Sequence, residues 1–337
     1  MASKAVNIAV MGAGSWGTAL AMLLARNGHR VRLWGRPQDG VEEMQRERVN
    51  GRYLPDYPFP DGLEATADLD RALEDADLAL VVVPSHAFRS FLESARDRLL
   101  AADVPIVWGT KGLEYETGKL MSEVAEEVLG PDRRLAIVSG PTFAKEVAAG
   151  MPTAVAVAAR DEALATEVAG VLHSGPFRAY TVADMVGVQL GGALKNVLAI
   201  AAGAADGFHF GANTRAAVIT RGLAEIMRLG DAMGGPRETF MGLAGLGDLV
   251  LTCTDDQSRN RRFGLLVADE VDAEAAIERI GQAVEGVKTA GAAYTLARRF
   301  GVDTPIMEQV YRVIYKGEPA RTAVQQLLAR DQKPENL

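Results

Sequence analysis

Up to about residue 181 the chain alternates short β-branched runs with longer amphipathic ones, and after Asp184 the alternation stops. No other feature restricts the fold as much, because strands separated by helical crossovers form a parallel, doubly wound sheet. The runs "VNIAVMG", "VRLWG", "LALVVVP", "PIVWGTKG", "LAIVSGP", "TAVAVAA" and "FRAY" read as strands. Segments 15–27, 68–76, 85–100 and 117–129 read as helices, several opened by Ser, Thr or Asp as N-caps. Beyond the switch, 185–205, 214–233, 258–268, 273–281, 284–299, 305–315 and 319–330 all read as helix. The expected architecture is an α/β domain over 1–184 and an all-helical domain over 185–337, two cores being natural for 337 residues. No repeat or Pro/Ser-rich linker separates the halves, so they should pack around a cleft.

The first half opens with "GAGSWG", with Gly12, Gly14 and Gly17 directly after the first strand and at the start of a helix. Glycines there let the turn close, let the backbone approach a pyrophosphate and let helix and strand pack tightly, while the helix N-terminus supplies N–H donors. In this context the motif predicts a Rossmann-like dinucleotide site. At the end of the second strand stands Arg36, where a carboxylate would select NAD and an arginine can receive the 2′-phosphate of NADP. NADPH is the expected cofactor, with NADH tolerated; a solvated loop charge is the competing reading of Arg36. Asp39 and Glu42 lie beyond Pro37 and look poorly placed to take part. Two further loops follow strands at the same sheet edge and carry Lys111, Gly140 and Thr142, which are candidates to face a ligand.

In the helical half, "QLGGALKNVLAIAAG" sets Lys195 in a run of small and aliphatic residues with no polar face. An ammonium in such surroundings lowers its pKa unless an opposite charge meets it. Asp248, itself among glycines and apolar residues, is the candidate partner. Ser258 reads as the N-cap of a helix whose first turn holds Arg259 and Asn260, and a cation there is at odds with the helix dipole unless an anion binds. Arg261 and Arg262 read as a solvated basic patch. His86, at a helix start, reads as cofactor-facing or capping; His29, His173 and His209 suggest no role, and no histidine pair has metal-ligand spacing.

A net charge of −8 argues against nucleic acid or an anionic membrane surface as partner. The single Cys253 rules out an internal disulfide and fits a reducing cytoplasm. Neither a signal-peptide pattern nor a run of about 18 apolar residues is visible, so membrane insertion is not expected.

The segments "GAGSWGTALA", "GTKGLE", "SGPTFAKEV", "LGGALKNVLAIAAG", "GFHFGANTRAAVITRGLAEI", "GLAGLGDLVLTCTDDQSRNRRFG" and "AVEGVKTA" together resemble the bacterial NAD(P)-dependent glycerol-3-phosphate dehydrogenases over nearly the whole chain. The resemblance implies interconversion of dihydroxyacetone phosphate and sn-glycerol 3-phosphate, supplying phospholipid synthesis. It implies Ser15, Trp16, Arg36, Lys111, Ala144, Arg259 and Glu285 around the cofactor. It implies Lys111, Gly140, Thr142, Asp248, Ser258, Arg259 and Asn260 around the substrate, with Lys195 as proton acceptor. Ala283 departs from the pattern, since a larger aliphatic residue is expected at that cofactor contact. With Asp248 orienting Lys195 and Lys111 stabilising an oxyanion, these three form the expected catalytic set; a homodimer is the assembly to test for. A β-hydroxyacid dehydrogenase or ketopantoate reductase is the alternative, but those sites typically place Asn one turn after the lysine, where this chain has Ala199. A redox sensor without turnover is the third reading.

Overall fold

The computed structural model describes residues 5–331; residues 1–4 and 332–337, which the expected domain limits include, lie outside the described residues. An eight-stranded sheet fills the first half: β1 (Asn7–Met11), β2 (Arg30–Trp34), β3 (Leu63–Thr66), β4 (Leu78–Val81), β5 (Ile106–Trp108), β6 (Leu135–Ser139), β7 (Thr153–Ala159) and β8 (Phe177–Val182). Their order is β3-β2-β1-β4-β5-β6-β7-β8. The chain leaves β1 toward β2 and β3, then returns to place β4 on β1's other side. That reversal opens a crevice at the carboxyl ends of β1 and β4, where open α/β sheets bind ligands. Register aligns those ends, with Met11 opposite both Trp34 and Val81.

Two features of the sheet differ from the sequence-based expectation. β3 is an eighth strand: only four residues long, half of them polar, it carries no apolar run to announce it. β7 pairs antiparallel with β6, whereas a wholly parallel sheet was expected. A parallel return needs a crossover spanning the sheet. Here the connection holds only the five-residue helix Ala144–Ala148, about 7.5 Å long at 1.5 Å per residue, so β7 starts at the edge where β6 ended.

The helices of this half are α1 (Ser15–Arg26), α2 (Val41–Glu47), α3 (Leu69–Leu73), α4 (Ser85–Ala102), α5 (Met121–Leu129), α6 (Ala144–Ala148) and α7 (Glu162–Leu172). α2 and α7 were not among the expected elements. α5 begins four residues later than expected, because Gly118 takes φ +70° and turns the chain before Met121. Asp68 caps α3 as expected, accepting from the Asp70 and Arg71 amides at 2.9 and 3.2 Å.

After β8 the described residues are helical: α8 (Met185–Gly207), α9 (Gly211–Ala232), α10 (Arg237–Phe240), α11 (Asp248–Thr254), α12 (Arg259–Ala268), α13 (Ala273–Ile280), α14 (Glu285–Phe300), α15 (Pro305–Lys316) and α16 (Ala320–Leu328). α10 and α11 were not expected. α8 is the axis of this half, capped by Asp184 through the Gly187 amide at 2.9 Å and surrounded by α9, α11, α12, α14 and α15. It is long and apolar enough to cross a membrane by length and composition, yet 89% of that stretch is buried inside the protein. Its glycines explain how so many helices reach it. A Cβ at Gly203 would stand 2.0 Å from the Arg261 carbonyl oxygen, and one at Gly264 would stand 2.1 Å from that of Ile200. The backbones of α8 and α12 therefore touch, a closeness that larger residues forbid.

Candidate active site

The turn after β1 has the shape its glycines predicted. The Gly12 amide donates to the Trp34 carbonyl at 2.8 Å, and its φ of +122° belongs to glycine. A Cβ at Gly17 would lie 1.9 Å from the Gly12 carbonyl oxygen, so α1 packs directly on the turn. At Gly14 a Cβ would meet nothing within 4 Å. Open space therefore lies before the first amides of α1, beside Ser15 and Trp16. The Trp16 indole N–H is buried without a partner among the described residues. A dinucleotide fits this cradle: the backbone is bare where a pyrophosphate needs it, and the helix N-terminus faces the gap.

Lys111 leaves the end of β5 and reaches across the sheet edge. Its Nζ donates to the Gly140 carbonyl at 2.6 Å, to Thr142 Oγ1 at 3.2 Å and to Asp248 Oδ2 at 2.8 Å. The other carboxylate oxygen of Asp248 accepts from Lys195 Nζ, which also donates to Thr252 Oγ1 at 3.0 Å. One fully buried carboxylate thus bridges two lysines, leaving one positive charge to be met by a ligand. Burial is the chief reason that the Lys195 ammonium falls from 10.5 to about 8; the attraction of Asp248 opposes it and the charge of Lys111 adds to it.

The local folding behind this cluster is specific. A π-helical turn, Leu243–Gly247, precedes Asp248 and offsets α11 from the helical path before it. Gly192 lets α8 pass over the end of β6, since a Cβ there would fall 2.5 Å from Ser139 Oγ. That passage carries Lys195 to Lys111.

Ser258 caps α12 as expected, accepting from the Arg261 amide at 3.2 Å. Arg259, in the first turn, has no hydrogen bond or ion pair with a described residue, and burial lowers its pKa, with Glu285 opposing. Asn260 bridges helices: its Nδ2 donates to Asn196 Oδ1 and its Oδ1 accepts from the Gly286 amide, each at 2.9 Å. The arrangement ties the Arg259 turn to the residue next to Lys195 and to the start of α14. Arg261 is a correction to the basic patch expected there. It is 8% exposed and held by Asp206 at 2.7 Å, Asp256 at 2.5 Å and the Cys253 carbonyl at 3.2 Å, while Arg262 is exposed.

Glu285, at the start of α14, accepts from Ser85 Oγ at 2.6 Å, which links the two halves of the chain above the cleft. Ala283 is exposed just before it, and Ala144 is half-buried at the start of α6. Arg36 does not stand alone: Asp39, beyond Pro37, folds back to pair with it at 2.9 Å. His86 lies within electrostatic reach of Lys288, Glu285 and Arg36. His29 is a buried structural residue, accepting from the Val6 amide at 3.3 Å.

Two family models cover this chain: the NAD-dependent glycerol-3-phosphate dehydrogenase N-terminus over residues 7–165 and the C-terminus of the same family over 184–325. The chain belongs to the NAD-dependent glycerol-3-phosphate dehydrogenase family. A glycerol-3-phosphate dehydrogenase [NAD(P)+] of Thioalkalivibrio sulfidiphilus is 58% identical over 328 residues, 97% of this chain and 98% of that one. The crystal structure of glycerol-3-phosphate dehydrogenase from Coxiella burnetii superposes with a TM-score of 0.92 at 48% identity, covering 97% of this chain and 99% of that one. A ketopantoate reductase from Ralstonia eutropha, 16% identical over 96% of this chain and 99% of that one, reaches 0.59 and shares the fold alone.

Several residues of the cleft had no place in the sequence-based expectation. Thr252 had a signal, since it stands one helical turn after Asp248 on the same face. Ser85 stands 200 residues from Glu285, the expected cofactor residue that it bonds, and nothing local announces that contact. Tyr53 bears electrostatically on both Arg36 and Arg259, yet it sits in a loop whose course only the fold determines.

Proposed function

We propose that the Lys195–Asp248–Lys111 cluster and the Arg259 turn divide the work of interconverting dihydroxyacetone phosphate and sn-glycerol 3-phosphate, the reaction that gives the family its name. The observation that carries this reading is a guanidinium without a hydrogen-bond or ion-pair partner among the described residues, in a turn tied through Asn260 and Asn196 to the one that holds Lys195. One end of the site suits a phosphate dianion; the other suits a proton transfer.

Bound NADPH or NADH supplies the hydride when the ketone is reduced. Lys195 gives the proton to the carbonyl oxygen as it becomes an alkoxide, and takes it back from the hydroxyl in the reverse direction. A pKa of about 8 lets it do both near neutral pH. Asp248, hydrogen-bonded to both amines, fixes where Lys195 Nζ points. Lys111, held by Gly140 and Thr142, stabilises the developing negative oxygen. Arg259 grips the phosphate through two parallel hydrogen bonds at the N-terminus of α12, which Ser258 caps. Ser15, Trp16, Ala144, Ala283 and Glu285 line the dinucleotide's course, and Arg36 meets the 2′-phosphate, so NADPH is preferred and NADH accepted. In this reading residues 1–184 bind the dinucleotide, residues 185–337 complete the substrate pocket, and the compartment is a reducing cytoplasm.

Arg259 provides the test. Arg259→Lys should raise KM for dihydroxyacetone phosphate, and Arg259→Ala should raise it further, by about 10- to 100-fold if a charge-assisted contact of roughly 1.5–3 kcal/mol is lost. Turnover should fall as well, because binding at the phosphate helps orient the carbonyl. Unphosphorylated dihydroxyacetone should be nearly indifferent to both changes. Equal losses on the two substrates would assign Arg259 to the dinucleotide instead.

A further inference from the structure

The pair at the far end of β2 was not anticipated. Arg36 is fixed to the glycine turn by the two residues before it: the Trp34 carbonyl accepts from the Gly12 amide at 2.8 Å, and Gly35 packs on Ala13 and Val41 so closely that a Cβ would stand 2.8 and 2.7 Å from their side chains. The short 3-10 turn Pro37–Asp39 then folds back. Asp39 accepts three hydrogen bonds from Arg36: from the backbone amide at 2.9 Å, from Nε at 3.1 Å and from the terminal guanidinium at 2.9 Å. Its side chain is 24% exposed, against 62% for Arg36. Burial works to raise the Asp39 carboxyl, but its hydrogen bonds and the charges of Arg36 and Arg52 prevail and hold it below the usual range.

The geometry points to Asp39 as a specificity-determining residue: it occupies and neutralises the Arg36 guanidinium, so that the nucleotide end of the cleft accepts an adenosine ribose with or without a 2′-phosphate. The inference rests on the reading of Arg36 as the 2′-phosphate site. With an unphosphorylated ribose the pair stays closed, and the Arg36 charge stays compensated. A 2′-phosphate has to share the guanidinium with a carboxylate already bonded to two of its nitrogens, and the carboxylate repels the incoming dianion. Asp39 therefore weakens the preference that a free Arg36 would impose. The Arg36 side chain is largely exposed, which keeps the effect small.

Equilibrium binding measures this without turnover. NADPH and NADH are titrated by calorimetry into wild type, Asp39→Asn, Asp39→Ala, Arg36→Ala and the Arg36→Ala/Asp39→Asn double variant, with 2′-AMP and 5′-AMP as probes of the nucleotide end alone. Asn keeps an acceptor for the Arg36 amide, and a thermal melt verifies that each variant folds. Both Asp39 variants should raise the ratio Kd(NADH)/Kd(NADPH) by about three- to fivefold, chiefly through tighter NADPH. The double variant should match Arg36→Ala. An unchanged or lower ratio in both Asp39 variants would overturn the role, as would the same rise in the Arg36→Ala background. If Arg36→Ala itself leaves the ratio unchanged, the assignment of Arg36 fails and takes this inference with it, an outcome distinct from failure at Asp39 alone.

Discussion

Lys195→Met, measured against pH, tests the chemistry most directly. Burial brings the Lys195 ammonium from 10.5 to about 8. Each pKa unit is a factor of ten, so near neutral pH the neutral amine is about 300-fold more abundant than in an unperturbed lysine. Oxidation of glycerol 3-phosphate requires that neutral form, and its kcat/KM should rise with pH and level off above about 8. Reduction of dihydroxyacetone phosphate requires the ammonium and should decline above the same point. The methionine variant should lose the step in both profiles together with at least ~10²-fold in turnover. Its fold should survive. A lysine with a lowered folded pKa costs stability below about pH 8 and regains it as pH rises toward 10.5, because the unfolded chain binds the proton more tightly in that window. A shift of this size is on the order of 3 kcal/mol, already net of the attraction of Asp248, and Asp248 keeps Lys111 at 2.8 Å when Lys195 is gone. The assay is the initial rate at the nicotinamide absorbance band in both directions from pH 6 to 10, with a thermal melt at each pH. Near wild-type turnover in a folded variant, or wild-type profiles with no step near 8, would refute the reasoning.

Gly203→Ala should unfold the contact between α8 and α12, because its methyl group would meet the Arg261 carbonyl 2.0 Å away; a loss of at least about 1–3 kcal/mol in denaturant melts is expected, and an unchanged midpoint would mean that the two helices separate freely. Glu225 is buried between α9 and α15, accepting from the Ile306 and Met307 amides at 2.8 and 3.1 Å, and burial raises its carboxyl from 4.5 to about 7. An acid raised in the folded state loses stability as pH climbs from about 4.5 to about 7, so Glu225→Gln should cost about 1 kcal/mol at pH 5 and less at pH 8. Thermal melts in which the mutant deficit grows with pH would contradict this assignment.

Much of the fold and some of the site could be read directly from the chain. Local period and turn chemistry act over a few residues, so the strand–helix alternation, its end after Asp184, the glycine turn and the Ser258 cap were all legible. Lys195 was legible for a different reason: a cation in an apolar helix needs a partner wherever the chain goes. Tertiary structure decided whatever depends on which distant segments meet. The antiparallel β7 follows from the length of α6, which periodicity does not weigh. Asp248 was a candidate partner in the sequence, but its sharing between two lysines depends on Gly192 letting α8 cross the end of β6. Arg261 was misread because charge along a sequence carries no information on burial, and the pairing of Asp39 with Arg36 went unseen because it depends on the fold-back of a short turn. Side-chain type is a local property, whereas the partner that satisfies a buried charge is supplied by packing.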